Sequence, residues 1–587
     1  MAGIAGWIDR ADDLTRQAVT VARMDAGLVT RGGKGGLWVS PVAALIQRID
    51  ATWGGSGGPA VHTVDGEARV VALCDGYPGE DTSTTPAEQI LAAYLRWGPD
   101  LAAHLDGVAA FAIWDVAAGE LLLGRDRIGL RPLTYLPTPN GLLFASDVTV
   151  LARHPKVPAV LDQEAVCALI TQSRPPGEGV LAGMREVPPS CVLRADRHGI
   201  TIRPYWRLEA RPHELDLPRT LDRARDLLCD AIHLVTSGVD PGVMLSGGLD
   251  SSVLTGLCST VTGHPPRTFT VAYAGSGKGP DQSYAAEMAR FAGCAHTEVT
   301  VDAAELSDPA TLAAVVAAKD YPSPYGDKNV SPYLFFRRMA EHTPLVLSGE
   351  SADVMFGGAT GPQSDGRPLT TFPWLERFRQ VGKTYGLGTG LFDQDLLRTL
   401  DAGAYLDRMF VIALDEVPVL DGEDPVDRVA RQVDWINVTR LLELAAGHCE
   451  QLSNAVGLQI RFPFADYRLW SFMYNVPTAL KFDGGTEKAL LRTIGAPVVP
   501  DSIMARRKVP YPITYDARYK AALLDRLREL VEDSYAPSRQ LIDLEACKRY
   551  LTEPALIDRG GWHGRADLEM VLQVDTWMRR LDVGLRI

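Results

Sequence analysis

The ten residues Val243-Met244-Leu245-Ser246-Gly247-Gly248-Leu249-Asp250-Ser251-Ser252 constrain this chain more than any other stretch. An apolar run ends in a Ser-Gly-Gly-Leu-Asp-Ser-Ser turn, and the helical pattern Ser252-Val-Leu-Thr-Gly-Leu follows. That order predicts a strand, a loop of phosphate size, and a helix N-terminus. Gly247 and Gly248 let backbone amides approach an anion, and the start of a helix adds partial positive charge. Ser246, Ser251 and Ser252 supply hydroxyl donors. Asp250 would repel a phosphate unless a cation lies between them, so it reads as a ligand of Mg2+. The spacing is not Gly-x-x-x-x-Gly-Lys-Ser/Thr, which excludes a Walker-type loop. An ordinary glycine turn after a strand is the competing reading.

The segments around this loop alternate between strand and helix. Helical periodicity at 219–235, 252–261 and 282–292 is interleaved with apolar runs at 242–245, 267–271, 297–301 and 345–348. Such alternation predicts a parallel, doubly wound sheet with its ligand at the strand C-termini. Residues 1–205 read differently. Short apolar runs near 36–39, 68–74, 109–115, 121–124 and 142–146 are broken by Gly, Asp and Pro, which predicts a sandwich of antiparallel sheets. Helical patterns at 87–95 and 163–170 would cover it. Beyond about residue 370 the pattern is mostly helical, and 359–370, rich in Gly, Pro, Ser and Asp, reads as a surface loop. The expected domains are 1–205 and 206–587, within the range of about two to four that this length allows.

Charge and cysteine usage remove several function classes. The formal net charge is −14, which argues against a nucleic-acid partner, since phosphate contacts need Lys and Arg. The eight cysteines contain no Cys-x-x-Cys pair, which argues against structural zinc, iron–sulfur ligation or a thioredoxin-like site. With no signal-peptide pattern and no apolar run of about 18 residues, the expectation is a cytoplasmic protein with no membrane partner.

Three later segments carry further chemistry. In Leu345-Val-Leu-Ser348-Gly349-Glu350-Ser351-Ala352-Asp353, a second apolar run ends in a glycine turn with two carboxylates. Asp353 would complete a Mg2+ site with Asp250, and Glu350 would deprotonate an incoming amine; a capped helix start is the alternative. In Asp483-Gly484-Gly485-Thr486-Glu487-Lys488, the lysine stands at the opening of an amphipathic helix, an unfavourable place for a cation on dipole grounds alone. The preceding Gly-Gly-Thr favours a phosphate-facing role over a surface one. The basic cluster Arg506-Arg507-Lys508 is usable for pyrophosphate or is simply solvated.

On these residues the 246–252 loop resembles the pyrophosphate loop of N-type ATP pyrophosphatases. Nearly the full length resembles class B asparagine synthetase, the glutamine-hydrolysing type. The matching landmarks in the second half are Ser-Gly-Gly-Leu-Asp-Ser-Ser at 246–252, Ser-Gly-Glu-x-x-Asp at 348–353, Arg461-Phe-Pro-Phe-Ala-Asp466, and Gly-Gly-Thr-x-Lys-x-x-Leu-Arg at 484–492. In the first half they are Gly3-Ile-Ala-Gly-Trp, Arg48, the run 107–115 and the run 124–135. The resemblance implies an α/β chain: an N-terminal glutaminase-like (Ntn-type) αββα sandwich, then a doubly wound ATP pyrophosphatase domain with added helices. It also implies ATP and Mg2+ as cofactors, with adenine against Leu245, Val271 and Gly349.

The departures from that family pattern narrow the expectation. The family's N-terminal cysteine nucleophile is replaced by Ala2, which offers no nucleophile. The Arg-Gly-Pro-Asp segment appears as Arg31-Gly32-Gly33-Lys34, and Asn-Gly-Glu as Asp75-Gly76-Tyr77, which puts the oxyanion-stabilising amide in doubt. Ser-Asp-x-Glu appears as Thr85-Pro86-Ala87-Glu88. Ala2, Arg48, Asp75 and Gly76 are therefore read as a degenerate glutaminase site. On the acceptor side the family's Glu after Asp353 is Val354, and its downstream Asp-Arg, His and Glu align with Glu450-Gln451, Val456 and Gln459. The ATP-facing positions persist while the acceptor-facing ones differ, a combination similar to β-lactam synthetase and the lasso peptide cyclases. β-Lactam synthetase carries Tyr at the position of Glu350, so β-lactam closure is not favoured here.

The expected activity is ATP-dependent amide-bond formation in a specialised biosynthetic pathway. The carboxylate, on a small molecule or peptide, is adenylated with release of pyrophosphate; an amine then attacks and AMP leaves. Glu350 and Lys488 are the expected catalytic residues, and a homodimer is the candidate assembly. Two alternatives stay open: an asparagine synthetase using ammonia or glutamine, with Ala2 an engineered replacement of cysteine, and a nucleotide-binding pseudoenzyme.

Overall fold

The computed structural model describes the chain except residues 1, 50–56, 80, 82, 275–278, 359–365, 376–389, 483–485, 507, 508, 510 and 560–562. Two compact units interleave along the chain. The first comprises Met1–Val160, Pro176–Leu208 and Glu443–Gln459; the second comprises Leu161–Pro175, Glu209–Leu442 and Ile460–Ile587. The loop expected at 359–370 falls largely outside the described residues.

Period-two alternation organises the first unit. In the strand Glu67–Tyr77, Val71 and Leu73 point to one side while Val70, Ala72 and Cys74 point to the other. The first pair joins Ile4, Ile8, Leu45, Trp114, Leu121 and Phe144 in a core between two sheets. The second set packs with Ile90 and Ala93 of the helix Pro86–Trp97. That helix begins with a capping box: Thr85 accepts from the Glu88 backbone, Glu88 accepts from the Thr85 backbone, and Pro86 takes the first helical position, where it loses no hydrogen bond.

Each of the two sheets has six strands in antiparallel pairing. One runs Arg185–Glu186, Thr134–Thr138, Gly141–Ala145, Ala2–Asp9, Ala43–Ile49, Lys34–Val39. The other runs Gly199–Pro204, Cys191–Asp196, Glu120–Arg125, Val108–Asp115, Glu67–Tyr77, Ala60–Val64. The helices Ala18–Gly27 and Val148–Ala152 pack on the first sheet, which completes the αββα sandwich expected from the sequence.

The second unit is built on a five-stranded sheet ordered His296–Val301, Arg267–Tyr273, Gly242–Met244, Leu345–Leu347, Gln459–Arg461. The first four strands are parallel, as the strand–helix alternation predicted. The chain moves outward from Gly242–Met244 through Arg267–Tyr273 to His296–Val301, then returns to the opposite side with Leu345–Leu347. The order therefore reverses between Gly242–Met244 and Leu345–Leu347. A crevice opens at such a reversal, because the loops leaving the two strands diverge to opposite faces. The remaining helices, including Ala402–Asp415, Ala517–Glu532 and His563–Leu581, make up the mostly helical C-terminal part. No helix among the described residues is long and apolar enough to cross a membrane.

Candidate active site

The strand Gly242–Met244 delivers Leu245 and the serine–glycine turn into the crevice. Gly248 is extended at φ −80° and ψ 166° and caps the helix Leu249–Thr262, which starts earlier than the sequence pattern at Ser252 suggested. Asp250 and Ser251 thus lie in its first turn, where backbone N–H groups have no intrahelical acceptors. The turn is braced by its own hydroxyls: Ser246 N donates to Ser251 Oγ at 3.1 Å, and Gly248 N donates to Ser246 Oγ at 3.3 Å. Gly247 adopts φ +67°, and a Cβ there would lie 2.5 Å from Ala285 N and 2.6 Å from Tyr284 Cβ. Only glycine fits that contact without displacing the following helix.

The strand Leu345–Leu347 delivers the second turn. A Cβ on Gly349 would stand 3.2 Å from Ser251 N, so glycine lets the two turns meet. Ser351 is buried at φ +81°, a left-handed conformation that carries strain for a residue with a Cβ. The short helix Ala352–Met355 follows, with Asp353 in its first turn.

Lys488 closes the arrangement from a third segment. It too is left-handed, at φ +56°, and it precedes the helix Ala489–Gly495. Its Nζ lies 2.6 Å and 2.7 Å from the two carboxylate oxygens of Asp250 and 2.5 Å from Asp353 Oδ1. Burial works against this ammonium, but the charges of Asp250 and then Asp353, with their hydrogen bonds, outweigh it and hold its pKa above the ordinary lysine value. The cation that dipole reasoning disfavours at a helix start is therefore held by two anions rather than by the helix.

These groups share one cavity of about 280 Å³. Of the sequence-predicted residues, Leu245, Ser246, Gly248, Asp250, Ser251, Val271, Ser348, Gly349, Glu350, Asp353 and Lys488 line it. Ser246 and Glu350 are the exposed members of this set. Gly247 is occupied by its packing against Tyr284, and Ser252 is fully buried inside the helix; neither lines the cavity. Val354 does not line it either. Lys508 and Gly484-Gly485 lie outside the described residues.

The cavity also includes Arg492, which closes the 484–492 landmark, and residues that the sequence reading did not single out: Phe335, Asp281, Tyr511 and Pro512. It includes Arg506, which heads the basic cluster flagged in the sequence. Asp281 carried no sequence signal, since it is one acid in the first turn of an otherwise ordinary helix, Pro280–Phe291.

A second set of predicted residues lies in the first unit. Ala2 is buried at the start of its strand. Arg48 is clamped by Asp25 through contacts of 2.6 Å and 2.7 Å. Asp75 and Gly76 end the strand Glu67–Tyr77. Asp75 is fully buried, 3.9 Å from Arg31 Nη1 and 3.7 Å from Arg131 Nη1. Arg131 also donates to Glu450, and Arg31 stands 4.0 Å from the same Glu450 oxygen. Burial pushes the Glu450 carboxyl up in pKa, against the pull of Arg131. Two turns earlier on the helix Leu442–Asn454, Glu443 accepts from Arg125 at 2.9 Å.

Residues 79–206 match a glutamine amidotransferase domain, and residues 223–579 match the asparagine synthase family. The second match alone spans more than half of the chain. The chain belongs to the asparagine synthase family. It is 28% identical to asparagine synthetase (glutamine-hydrolyzing) 3 of Bacillus subtilis (strain 168), over all of both chains. It is 29% identical to asparagine synthetase B (glutamine-hydrolyzing) of Escherichia coli (strain K12), over 46% of each chain. Among solved structures, an NAD+ synthetase from Burkholderia pseudomallei is similar with a TM-score of 0.18 and 20% identity, over 39% of this chain and 84% of that chain.

Membership makes this chain an asparagine synthetase-like ligase with a glutamine amidotransferase-like domain. It is ATP-using and of the amide-forming kind. Within the family pattern, two departures acquire a physical content. Asp75 replaces an amide with a carboxylate whose oxygens have no hydrogen-bond partner among the described residues and face two guanidinium groups. Pro86 takes the first position of the helix that Thr85 caps.

Proposed function

We propose that this chain adenylates a substrate carboxylate with ATP and then joins the acyl group to an amine, releasing pyrophosphate and AMP in turn. The observation that carries this reading is the convergence of Asp250, Glu350, Asp353 and Lys488 with the 246–251 turn on one cavity. ATP lays its phosphates against the backbone amides of that turn and the first turn of Leu249–Thr262, where unpaired N–H groups and the helix dipole favour negative charge. Adenine lies toward Leu245, Val271 and Gly349.

A carboxylate oxygen of the substrate attacks the α-phosphorus, and the bond to the bridging oxygen breaks toward pyrophosphate. Lys488 stabilises the charge that builds up in that step. Glu350, exposed at the cavity, takes a proton from the amine as it attacks the acyl carbon; AMP leaves as the carbon–oxygen bond breaks. The oxygens of Asp250 and Asp353 already converge on one cation, the Lys488 ammonium, so the donor set fits Mg2+. When bound, the ion would neutralise phosphate charge at those two carboxylates.

We further propose that the amine is not free ammonia and that the product belongs to a specialised pathway. Val354 stands where the family has a carboxylate, and valine cannot accept a hydrogen bond from a substrate ammonium. Ala2 and Asp75 leave the first unit without a means of releasing ammonia from glutamine. The test is pyrophosphate release with a panel of carboxylates, each with and without added amines. Pyrophosphate formed with a larger or amine-bearing acid, and not with aspartate, supports this reading.

The second reading, an asparagine synthetase, is favoured by the full-length similarity to the Bacillus subtilis protein. Asparagine formed from aspartate and ammonium with kcat/KM of roughly 10⁴ M⁻¹s⁻¹ or above would establish it and refute the altered acceptor.

A further inference from the structure

Arg506 and Asp281 form an ion pair on the wall of the cavity. The guanidinium is nearly buried, with 7% of its side chain exposed. It also donates from Nη1 to the Ser246 carbonyl at 3.2 Å and lies over the Tyr284 ring, 4.6 Å from its centre. Ser246 opens the turn assigned to the phosphates, and Tyr284 packs against Gly247 of the same turn. A buried cation therefore sits at the edge of the phosphate-binding turn with its charge already matched by a carboxylate.

We propose that this pair is a latch. Arg506 waits on Asp281 and changes partner to the leaving pyrophosphate of ATP. This inference rests on the nucleotide reading of the cavity and deepens it. Three features make the exchange physically favourable. A pyrophosphate group carries more negative charge than one carboxylate and offers several oxygens to a planar fork of donors, so it outcompetes Asp281. Asp281 lies in the first turn of the helix Pro280–Phe291, where unpaired N–H groups stabilise the carboxylate after the guanidinium leaves. The Tyr284 face holds the cation near the turn throughout the movement. Asp281 then has a function of its own. It neutralises Arg506 in the empty cavity and weakens the site's grip on free pyrophosphate, which favours product release.

Calorimetric titration of the full chain with inorganic pyrophosphate, and separately with AMP, both in Mg2+, tests the latch. Arg506→Met is expected to weaken pyrophosphate binding about tenfold or more while changing AMP affinity less than about threefold. Asp281→Asn is expected to tighten pyrophosphate binding, because it removes the competing anion, and to leave AMP binding unchanged. A merely structural pair would instead weaken both ligands in both variants. Pyrophosphate affinity unchanged in Arg506→Met, or weakened in Asp281→Asn, would overturn the latch while leaving the nucleotide site standing. Wild-type protein that binds neither ATP nor pyrophosphate would overturn the nucleotide reading and the latch together.

Discussion

The Lys488 ammonium lies 2.6 Å from one carboxylate oxygen of Asp250 and 2.7 Å from the other, although 238 positions separate the two residues in sequence. Both positions were marked as chemically active in the sequence, one as a phosphate-facing cation and one as a metal ligand. Their contact adds something neither motif states. The cation and the anion neutralise each other across the cavity.

Lys488→Ala is expected to lower the rate of pyrophosphate formation by about 10² to 10³, while ATP affinity changes less than about tenfold. A group that acts on charge developing in the transition state affects the chemical step more than ground-state binding. Single-turnover pyrophosphate release alongside equilibrium ATP binding checks this. Nearly normal turnover would return Lys488 to a structural counter-ion of Asp250 and Asp353.

Restoring the nucleophile with Ala2→Cys is expected to give no glutaminase activity. An oxyanion forming near Asp75 would meet a buried carboxylate instead of an amide donor, and Arg31 and Arg131 hold that carboxylate in place. Glutamate release above background by the Ala2→Cys protein would contradict this and point to a working amidotransferase.

Glu450→Ala is expected to destabilise the first unit by about 3 kcal/mol. It would remove the carboxylate that acts most strongly on the buried Arg131, leaving Asp75, 3.7 Å away, and the weaker influence of Asp126 to balance its charge. Glu450→Gln should be milder, because it keeps the shape and an acceptor for Arg131. Thermal unfolding of the two variants gives the order; equal melting temperatures in wild type and Glu450→Ala would refute the assignment.

Stability should fall with rising pH in a manner traceable to Glu569. Burial, and then the charge of Asp327, push this carboxyl up to about 8, against the pull of Arg565. Between the unfolded value of about 4.3 and that folded value, the native state holds a proton that the unfolded chain has released. The native state is therefore progressively penalised as pH rises through this window, and its contribution is lost fully above about 8. Glu569→Gln keeps an acceptor for the Tyr519 hydroxyl, which donates to Glu569 at 2.8 Å, and removes the titration. Melting temperature measured from pH 5 to pH 8.5 should decline less steeply in Glu569→Gln than in wild type; parallel curves would refute the assignment.

Periodicity and motif order made much of this protein legible in its amino-acid sequence. The switch from period-two runs before residue 205 to strand–helix alternation after it predicted an antiparallel sandwich and a parallel sheet, and both are present. The turns at 246–251 and 348–353 were recognisable because local chemistry demands their glycines, hydroxyls and carboxylates in a set order. Such features depend on neighbours in the chain, and sequence displays them directly.

Tertiary structure alone decided the rest, because it depends on which distant segments meet. Asp281 looks like any first-turn acid until the folded chain brings it beside Arg506, 225 positions away. Ser252 looks like a phosphate ligand until the helix start at Leu249 turns it into the interior. The segment Glu443–Gln459 reads as part of the second half of the chain, yet its Glu443 and Glu450 are drawn to Arg125 and Arg131 of the first unit. Charges that cannot be buried singly must find opposite charges, and only the folded chain determines which ones are within reach.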